Sequence, residues 1–445
     1  MILFVADAFI EHYTGGAELT TESVVEACLY PYGKVLSQQL SVSTMEKWKH
    51  AFWVFGNFAN VSEECLIFAA KNLNYSVLEY DYKYCILRSP EKHTFETGFC
   101  NCESERRGKV VSIFLNAAKA MWWMSENQMN HYHDKFSFLD NDKNKVLSSV
   151  FSSGTLEYIK SIDTEKKNDK WIILNSPSWI KGTDDAVAYA KENNLEYELV
   201  WGLEYEELLD KLAESKGLIF FPKAGDTCPR MVIEAKLLDC DLILNDNVQH
   251  KDEPWFATKE SALEYLGERT NIFWDQVEGI VDNLGIPKDT TESDIKYNII
   301  VPFYNAESWL MKCITSIKRQ KHKNFKCTLI DDVSSDMSST ISEVLTDGDD
   351  RFRIVKNKQK KYALANIVSA IESSNPEDDD VIILLDGDDW FASTLTLSRL
   401  NKEYEDKNCL ATYGSYVFHP FGGKGPEPSQ YPDGVVKNNT FREDK

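Results

Sequence analysis

The hydrophobic pattern of the first 275 residues alternates between short apolar runs and segments whose apolar side chains have a helical spacing. Short runs rich in branched and aromatic residues are typical of buried strands. The predicted strands are residues 2–5, 51–55, 76–80, 110–114, 170–175, 198–201, 217–221 and 241–244. Helical patterns with short connections separate most of them, which predicts an α/β fold with doubly wound parallel sheets.

The last third of the chain repeats this alternation after a polar stretch at residues 276–294, which we interpret as a linker. Strands are predicted at residues 297–301, 327–330, 352–355 and 381–385. After the first of them, Leu310, Cys313, Ile314 and Ile317 recur at helical spacing and predict one buried helix face. A third α/β layer is therefore expected in residues 295–445.

Composition limits the class of protein. With 445 residues and 43% hydrophobic residues, the chain can build two to four cores. No apolar run approaches the length of about 18 residues that spans a bilayer, and the first residues form a strand without a preceding basic region. Together with ten irregularly spaced cysteines, these features predict a soluble, cytoplasmic protein without a signal peptide. The net charge of −22 counts against nucleic-acid binding, which needs a basic surface.

Three acids follow the most apolar strand of the last third. Asp386, Asp388 and Asp389 come directly after residues 381–385, with Gly387 between the first two. Clustered carboxylates at a strand end favour a divalent cation that carries phosphates, although a solvated acidic turn is the alternative. Asp331 and Asp332 end another strand of the same region. Open α/β sheets bind ligands at the carboxyl ends of their strands.

These motifs closely resemble those of the family 2 inverting glycosyltransferases of GT-A fold. The matching segments are residues 299–305 (IIVPFYN), 329–336 (LIDDVSSD) and 385–390 (LDGDDW). The resemblance implies that Pro302, Tyr304, Asp331 and Asp332 hold the nucleotide base and ribose, with Asp386 near the ribose. It implies that Asp386, Asp388 and Asp389 hold Mn²⁺ or Mg²⁺ against the diphosphate, with Asp388 the first choice for direct coordination. No organic cofactor is implied.

An inverting transfer also needs a general base for the acceptor hydroxyl. In the family this carboxylate lies well beyond the metal-binding acids, and only about 55 residues follow them here. Glu443 and Asp444 resemble an acid pair, but they lie at the end of the chain. The sequence therefore suggests a fragment of a longer protein, with the base beyond residue 445.

The first 275 residues carry a second set of motifs. Gly15 and Gly16 stand between a strand and a helix, an arrangement that can bind anions or simply ease a turn. Lys181 precedes Gly182 after the first strand of the next layer, and Asp226 and Glu234 lie eight residues apart. This set resembles family 4 glycosyltransferases of GT-B fold, in which the lysine neutralises the diphosphate and the second acid holds the ribose. The usual arginine is replaced by Ser176, and Arg230 is a possible substitute.

A separate group of soft ligands, Cys85, His93, Cys100 and Cys102, lies within eighteen residues. It could hold a structural zinc ion, but the spacing lacks a Cys-x2-Cys knuckle. Ordinary thiols are the default interpretation.

The sequence thus predicts residues 1–147 and 148–275 as a GT-B-like pair of Rossmann-type domains, 276–294 as a linker, and 295–445 as the donor half of a GT-A domain. The expected function is sugar transfer from a nucleotide-diphospho-sugar to a glycan, lipid-linked or other hydroxyl acceptor. One alternative is a degenerate sugar-nucleotide-binding or scaffold protein. Another is a viral-type glycosyltransferase that acts on modified DNA bases, which the acidic charge disfavours.

Overall fold

The computed structural model describes residues 1–288, 293–405, 409–414, 416–418 and 423–424. The chain divides into two compact units, whose main parts are Met1–Pro287 and Lys288–Val417. No helix within the described ranges is long and apolar enough to cross a membrane.

The first unit contains two sheets. Its strands are β1 (Ile2–Ala6), β2 (Tyr32–Leu36), β3 (Phe52–Phe55), β4 (Asn74–Glu79), β5 (Ala120–Trp123), β6 (Asn144–Val146), β7 (Trp171–Leu174), β8 (Tyr197–Val200), β9 (Gly217–Phe220) and β10 (Asp241–Leu244). Its helices are α1 (Gly16–Glu26), α2 (Val42–Lys47), α3 (Glu63–Asn72), α4 (Pro90–Thr97), α5 (Arg106–Ala117), α6 (Glu126–Lys135), α7 (Ser153–Ser161), α8 (Thr183–Glu192), α9 (Tyr205–Glu214), α10 (Arg230–Leu237) and α11 (Lys259–Asn283).

The order of the strands is that of doubly wound folds. The first sheet runs β2-β1-β3-β4-β5-β6 and the second β10-β9-β7-β8. Neighbouring strands pair in parallel, as in the register of Ile2 with Phe52 and of Trp171 with Gly217. Parallel strands require crossover helices on the faces of the sheet, which explains the continuous apolar runs. The predicted α/β fold class with Rossmann-like layers is confirmed.

Two sequence-based assignments of elements differ from the structure. Residues 110–114, predicted as a strand, lie inside helix α5. There Val111 and Phe114 are buried while Ile113 is 58% exposed, so the run has a helical rather than a continuous burial pattern. Helix α11 continues to Asn283, eight residues into the segment predicted as a linker, because Val277 and Val281 pack into the core.

The second unit is built on one four-stranded parallel sheet. Its elements are β11 (Tyr297–Phe303), α12 (Leu310–Lys318), β12 (Phe325–Asp331), α13 (Ser338–Thr346), β13 (Phe352–Lys356), α14 (Tyr362–Ser374), β14 (Val381–Leu384) and α15 (Thr396–Tyr404). The sheet order is β13-β12-β11-β14. The first three strands are added on one side of the sheet, and β14 is added on the other side of β11. The order therefore reverses between β11 and β14, and ligands of open α/β sheets bind at this kind of reversal.

Candidate functional site

The reversal between β11 and β14 brings the predicted metal-binding acids to the end of β11. Ile300 pairs with Leu384, so the residues that follow both strands emerge at the same edge of the sheet. Beyond the pairing, the Gly387 amide donates a hydrogen bond to the Pro302 carbonyl at 3.2 Å. Pro302 and the segment 386–389 are therefore neighbours.

Gly387 is required by this close approach. A Cβ atom at this position would lie 2.5 Å from the Cβ of Phe303, well inside van der Waals contact. Any side chain would push the acidic turn away from β11. The glycine between the two acids is thus explained by packing at the strand end, and it fixes the turn on which Asp386 and Asp388 stand.

The three carboxylates of the turn project to solvent. Asp386, Asp388 and Asp389 are exposed, and the Asp389 amide closes the turn on the Asp386 carbonyl at 3.0 Å. Partial burial, together with the charges of Asp388 and Asp386, raises the pKa of Asp389. A divalent cation would relieve this repulsion, and hard oxygen ligands suit Mn²⁺ and Mg²⁺. The donor set therefore fits the predicted cation.

Asp331 and Asp332, at the end of β12, are both buried and both accept hydrogen bonds from the backbone. Asp331 Oδ1 accepts the Ser334 amide at 2.8 Å. Asp332 accepts the amides of Lys361 and Tyr362, each at 2.8 Å. Burial by itself would raise the pKa of Asp332, but these hydrogen bonds outweigh it and lower the pKa to about 2.

The loops after β11 and β12 are joined by short polar contacts. The Asn305 amide donates to Ser334 Oγ at 3.0 Å, and Asn305 Oδ1 accepts the Ser335 amide at 2.8 Å. Asn305 has φ +49° and Val333 φ +68°, and a β-branched residue rarely adopts this region. Strained backbone of this kind clusters at ligand sites.

One residue at this edge was not predicted from the sequence. Lys360 Nζ lies 3.2 Å from the centroid of the Tyr304 ring, and Tyr304 is 47% exposed. The lysine belongs to the basic run Lys358-Gln-Lys-Lys361, which could have drawn attention to it. Glu443 and Asp444, considered as a possible base, lie outside the described residues.

In the first unit, the glycine pair and the second acidic motif come together. Gly15 precedes helix α1, and a Cβ on Gly16 would lie 3.5 Å from the Cβ of Arg230 at the start of α10. The strand-to-helix turns of the two Rossmann-like layers therefore lie close together at this point.

The charged residues predicted for the first unit pair with one another. Lys181 Nζ lies 2.6 Å from Asp226 Oδ2, with the lysine side chain 33% exposed. Gly182, at φ +63°, approaches the end of β9 so closely that a Cβ would overlap the Phe221 carbonyl. This contact explains why glycine follows the lysine.

Arg230 and Glu234 form a second, buried pair. Arg230 Nε lies 3.0 Å from Glu234 Oε1, and the guanidinium also donates to the Val150 carbonyl. Glu234 additionally accepts the Tyr205 hydroxyl at 2.7 Å. Burial raises the pKa of Glu234, while Arg230 opposes this effect. In this arrangement the Arg230 guanidinium forms an ion pair with a carboxylate of its own helix.

A partly buried ionic group at the end of β4 was also not predicted. Lys83 Nζ lies 3.1 Å from Glu79 and 3.2 Å from Asp81, and Arg88 pairs with Asp81. Burial raises the pKa of Glu79, and the Lys83 ammonium opposes this. The four residues lie at the carboxyl edge of the first sheet, where ligands of such sheets bind.

Comparison with known proteins assigns the second unit. The family model described as glycosyl transferase family 2 matches residues 298–443. Residues 298–443 therefore carry a family 2 glycosyltransferase domain. This match covers both the Asp331–Asp332 pair and the acids after β14. The first unit is outside the matched residues, so its family 4 resemblance stays a prediction.

Curated relatives are similar over a little less than a third of the chain. The glycosyltransferase GlyA of Streptococcus pneumoniae is 28% identical over 138 residues, which are 29% of this chain and 19% of that protein. A Haemophilus influenzae protein named as an uncharacterized glycosyltransferase is 33% identical over 123 residues, 27% of this chain and 47% of that protein. The alignments thus span less than half of either relative.

Solved structures resemble parts of the chain. Staphylococcus aureus TarS in complex with UDP covers 26% of this chain and 33% of its own at 19% identity, with a TM-score of 0.23. Anabaena HepE in complex with UDP and glucose covers 64% of this chain and 99% of its own at 11% identity, with a TM-score of 0.39. These likenesses are too partial to assign a function.

Proposed function

We propose that the second unit is a glycosyltransferase module that binds a nucleotide-diphospho-sugar through a divalent cation and transfers the sugar with inversion. The observation that carries this proposal is the position of Asp386, Asp388 and Asp389. They follow β14 where the sheet order reverses, inside the family 2 segment. Transfer breaks the bond between the sugar's anomeric carbon and the diphosphate, and the acceptor oxygen forms the new bond.

Different residues of this unit would bind different parts of the sugar nucleotide. The carboxylates of Asp388 and Asp389 would hold the cation, and Asp386 and Asp331 would contact the ribose and base. Bound Mn²⁺ or Mg²⁺ would neutralise the charge that develops on the leaving nucleotide. Tyr304 and Lys360 stand exposed at the same edge of the unit and are suited to the base or phosphates. The acceptor, a glycan, lipid-linked or other hydroxyl compound, and its general base belong to the proposal without an assigned residue.

Calorimetric titration of the full chain with UDP- and GDP-sugars, with and without Mn²⁺, tests this function. We expect Asp388→Asn to weaken the cation-dependent affinity at least about tenfold, because one charge-assisted ligand is lost. Asp379→Asn is the matched control, since Asp379 is exposed at the other end of β14. Equal binding in the presence of EDTA, or unchanged binding by Asp388→Asn, would contradict the proposal.

For the first unit we infer a second candidate role, binding or scaffolding without turnover. It is favoured because Lys181 and Arg230, the two predicted diphosphate cations, already pair with Asp226 and Glu234. A diphosphate would have to displace Asp226 from Lys181, and each charge-assisted contact counts in a partly dry site.

Lys181→Ala distinguishes the two roles of the first unit. If this unit binds a sugar nucleotide, the variant should lose about tenfold or more of a cation-independent affinity. Lys191→Ala, which changes an exposed lysine of α8, should leave this affinity unchanged. Titration in EDTA isolates this site from the one in the second unit, and no binding to the wild type would leave the scaffold role.

A further inference from the structure

Four soft ligands converge in the long connection between β4 and α5. The ligand atoms of Cys85, His93, Cys100 and Cys102 all lie within 4.8 Å of one another. His93 Nδ1 is 3.7 Å from the sulfur of Cys85 and 3.2 Å from that of Cys102, and the sulfurs of Cys85 and Cys100 are 3.9 Å apart. Within the described ranges, these four residues are the one group of three or more His, Cys, Asp or Glu placed this closely.

The three distances of 3.2, 3.7 and 3.9 Å are close to those between the ligand atoms of a tetrahedral metal site. With a zinc–sulfur bond of about 2.3 Å, neighbouring ligand atoms of a tetrahedral site lie about 3.5 to 3.8 Å apart. A disulfide would need about 2.05 Å between two sulfurs, and the cysteines are unbonded. Cys85 and Cys102 are almost fully buried. Thiols are weak hydrogen-bond partners, so hydrogen bonding alone gives little reason to gather three of them around one imidazole.

We propose that Cys85, His93, Cys100 and Cys102 bind a structural zinc ion. Four protein ligands fill the tetrahedral positions, which leaves none for substrate and makes the site structural rather than catalytic. Three thiolates and one neutral imidazole around Zn²⁺ give a net charge of about −1, and binding releases the thiol protons. The spacing in the sequence argued for ordinary thiols because it lacks a Cys-x2-Cys knuckle. In the structure the ligands come instead from a loop, a helix and the turn after it.

The local fold presents the four ligands. Ser89 caps helix α4 by accepting the Lys92 amide at 3.2 Å, which places His93 in the first turns of the helix. Gly98, at φ +91°, ends the helix and turns the chain back toward Cys85. Gly108 lets helix α5 approach so closely that a Cβ there would overlap the Cys102 carbonyl. The helix cap and the two glycines therefore fold the connection so that the four side chains lie close together.

The zinc ion would hold this connection against the second Rossmann-like layer of the first unit. Phe95, on the same helix as His93, stacks on Trp179 of the second Rossmann-like layer, with ring centroids 4.8 Å apart. Arg88, between Cys85 and His93 in sequence, has φ +59° and pairs with Asp81. The site would fix both the contact between the layers and the ionic group of Glu79, Asp81, Lys83 and Arg88. This inference does not depend on sugar transfer by the second unit.

Metal analysis of the full chain tests the site. Protein purified without chelator and passed over a chelating resin should retain about one zinc ion per chain, since structural sites bind zinc tightly. Cys102→Ser should lower this content at least about fivefold. Cys65→Ser is the matched control, because Cys65 is an equally buried thiol of the same layer outside the cluster. Asp388→Asn should keep its zinc, which separates this ion from the cation of the proposed donor site.

Wild-type measurements keep the test independent of how the variants fold. Cobalt substitution should produce the intense charge-transfer and d–d absorption of a tetrahedral thiolate site, and zinc should protect three thiols from a thiol reagent. Zinc content that does not exceed that of Cys102→Ser overturns the proposal. A disulfide between any two of Cys85, Cys100 and Cys102 in freshly isolated protein would also overturn it. The same is true of a cobalt spectrum of octahedral type.

Discussion

At the scale of single residues, His250 shows how burial alone decides chemistry. It is fully buried, it stacks on Trp255 at 5.4 Å between centroids, and neither ring nitrogen has a hydrogen-bond partner within the described residues. Desolvation lowers the pKa of His250 to about 3. The imidazole is therefore neutral in the folded protein at neutral pH, and it packs as an aromatic ring.

This depressed pKa predicts a pH-dependent stability. In the unfolded chain this histidine binds a proton near pH 6.5, whereas in the folded chain it stays neutral down to about pH 3. The free energy of unfolding is therefore unaffected above pH 6.5 and falls as the pH is lowered toward 3. At pH 5 the loss is about 2 kcal/mol. Urea unfolding of the wild type and of His250→Phe, compared between pH 7.5 and 5, isolates the effect. Equal pH dependence in both proteins would contradict it.

At the scale of elements, Asp332 links the end of β12 to the start of helix α14. Its two carboxylate oxygens accept the amides of Lys361 and Tyr362, which precede and begin the helix. Asn357 donates a further hydrogen bond to the same carboxylate at 2.8 Å. A residue that the family resemblance assigns to nucleotide binding therefore also satisfies free amides at a helix start, as a capping side chain does.

Asp332→Ala should therefore loosen helix α14 even without nucleotide. Loss of a capping carboxylate costs about 1–2 kcal/mol, and amide hydrogens at the start of α14 should exchange faster. The same acceleration is expected as the pH falls from about 4 toward 2, because the folded pKa of Asp332 lies near 2. Asp347→Ala, an exposed acid after α13, is the control. If amide hydrogens at the start of α14 exchange equally fast in Asp332→Ala and the wild type, Asp332 does not stabilise this helix.

At the scale of the whole molecule, the division into Met1–Pro287 and Lys288–Val417 predicts two unfolding transitions. A ligand that binds only folded protein stabilises the unit that holds it, by about 2.7 kcal/mol at a concentration of 100 times Kd. In calorimetry of the full chain, Mn²⁺ with a sugar nucleotide should therefore raise the midpoint temperature of one of the two transitions. Asp388→Asn should abolish that shift. A single transition, or a shift of both transitions together, would contradict independent units.

The local pattern carried much of the prediction. Apolar runs such as Val381–Leu384 marked the strands, and the acids that follow them were correctly expected at strand ends. Residues 110–114 were missed because a short apolar run reads alike in a strand and in a buried helix. The end of α11 was missed because Val277 and Val281 are buried only through contacts with distant elements.

By itself the sequence determined the α/β class, the alternation of elements and the family 2 motifs, because periodicity and strand-end chemistry are local properties. Only the tertiary structure decided which of these residues meet. The pairing of β11 with β14 set the acids beside Pro302, and the pairing of β7 with β9 set Lys181 beside Asp226. The same holds for Cys85, His93, Cys100 and Cys102, which converge because a capped helix and two glycines fold their connection back on itself. Distances between side chains far apart in sequence depend on packing, which no single segment encodes.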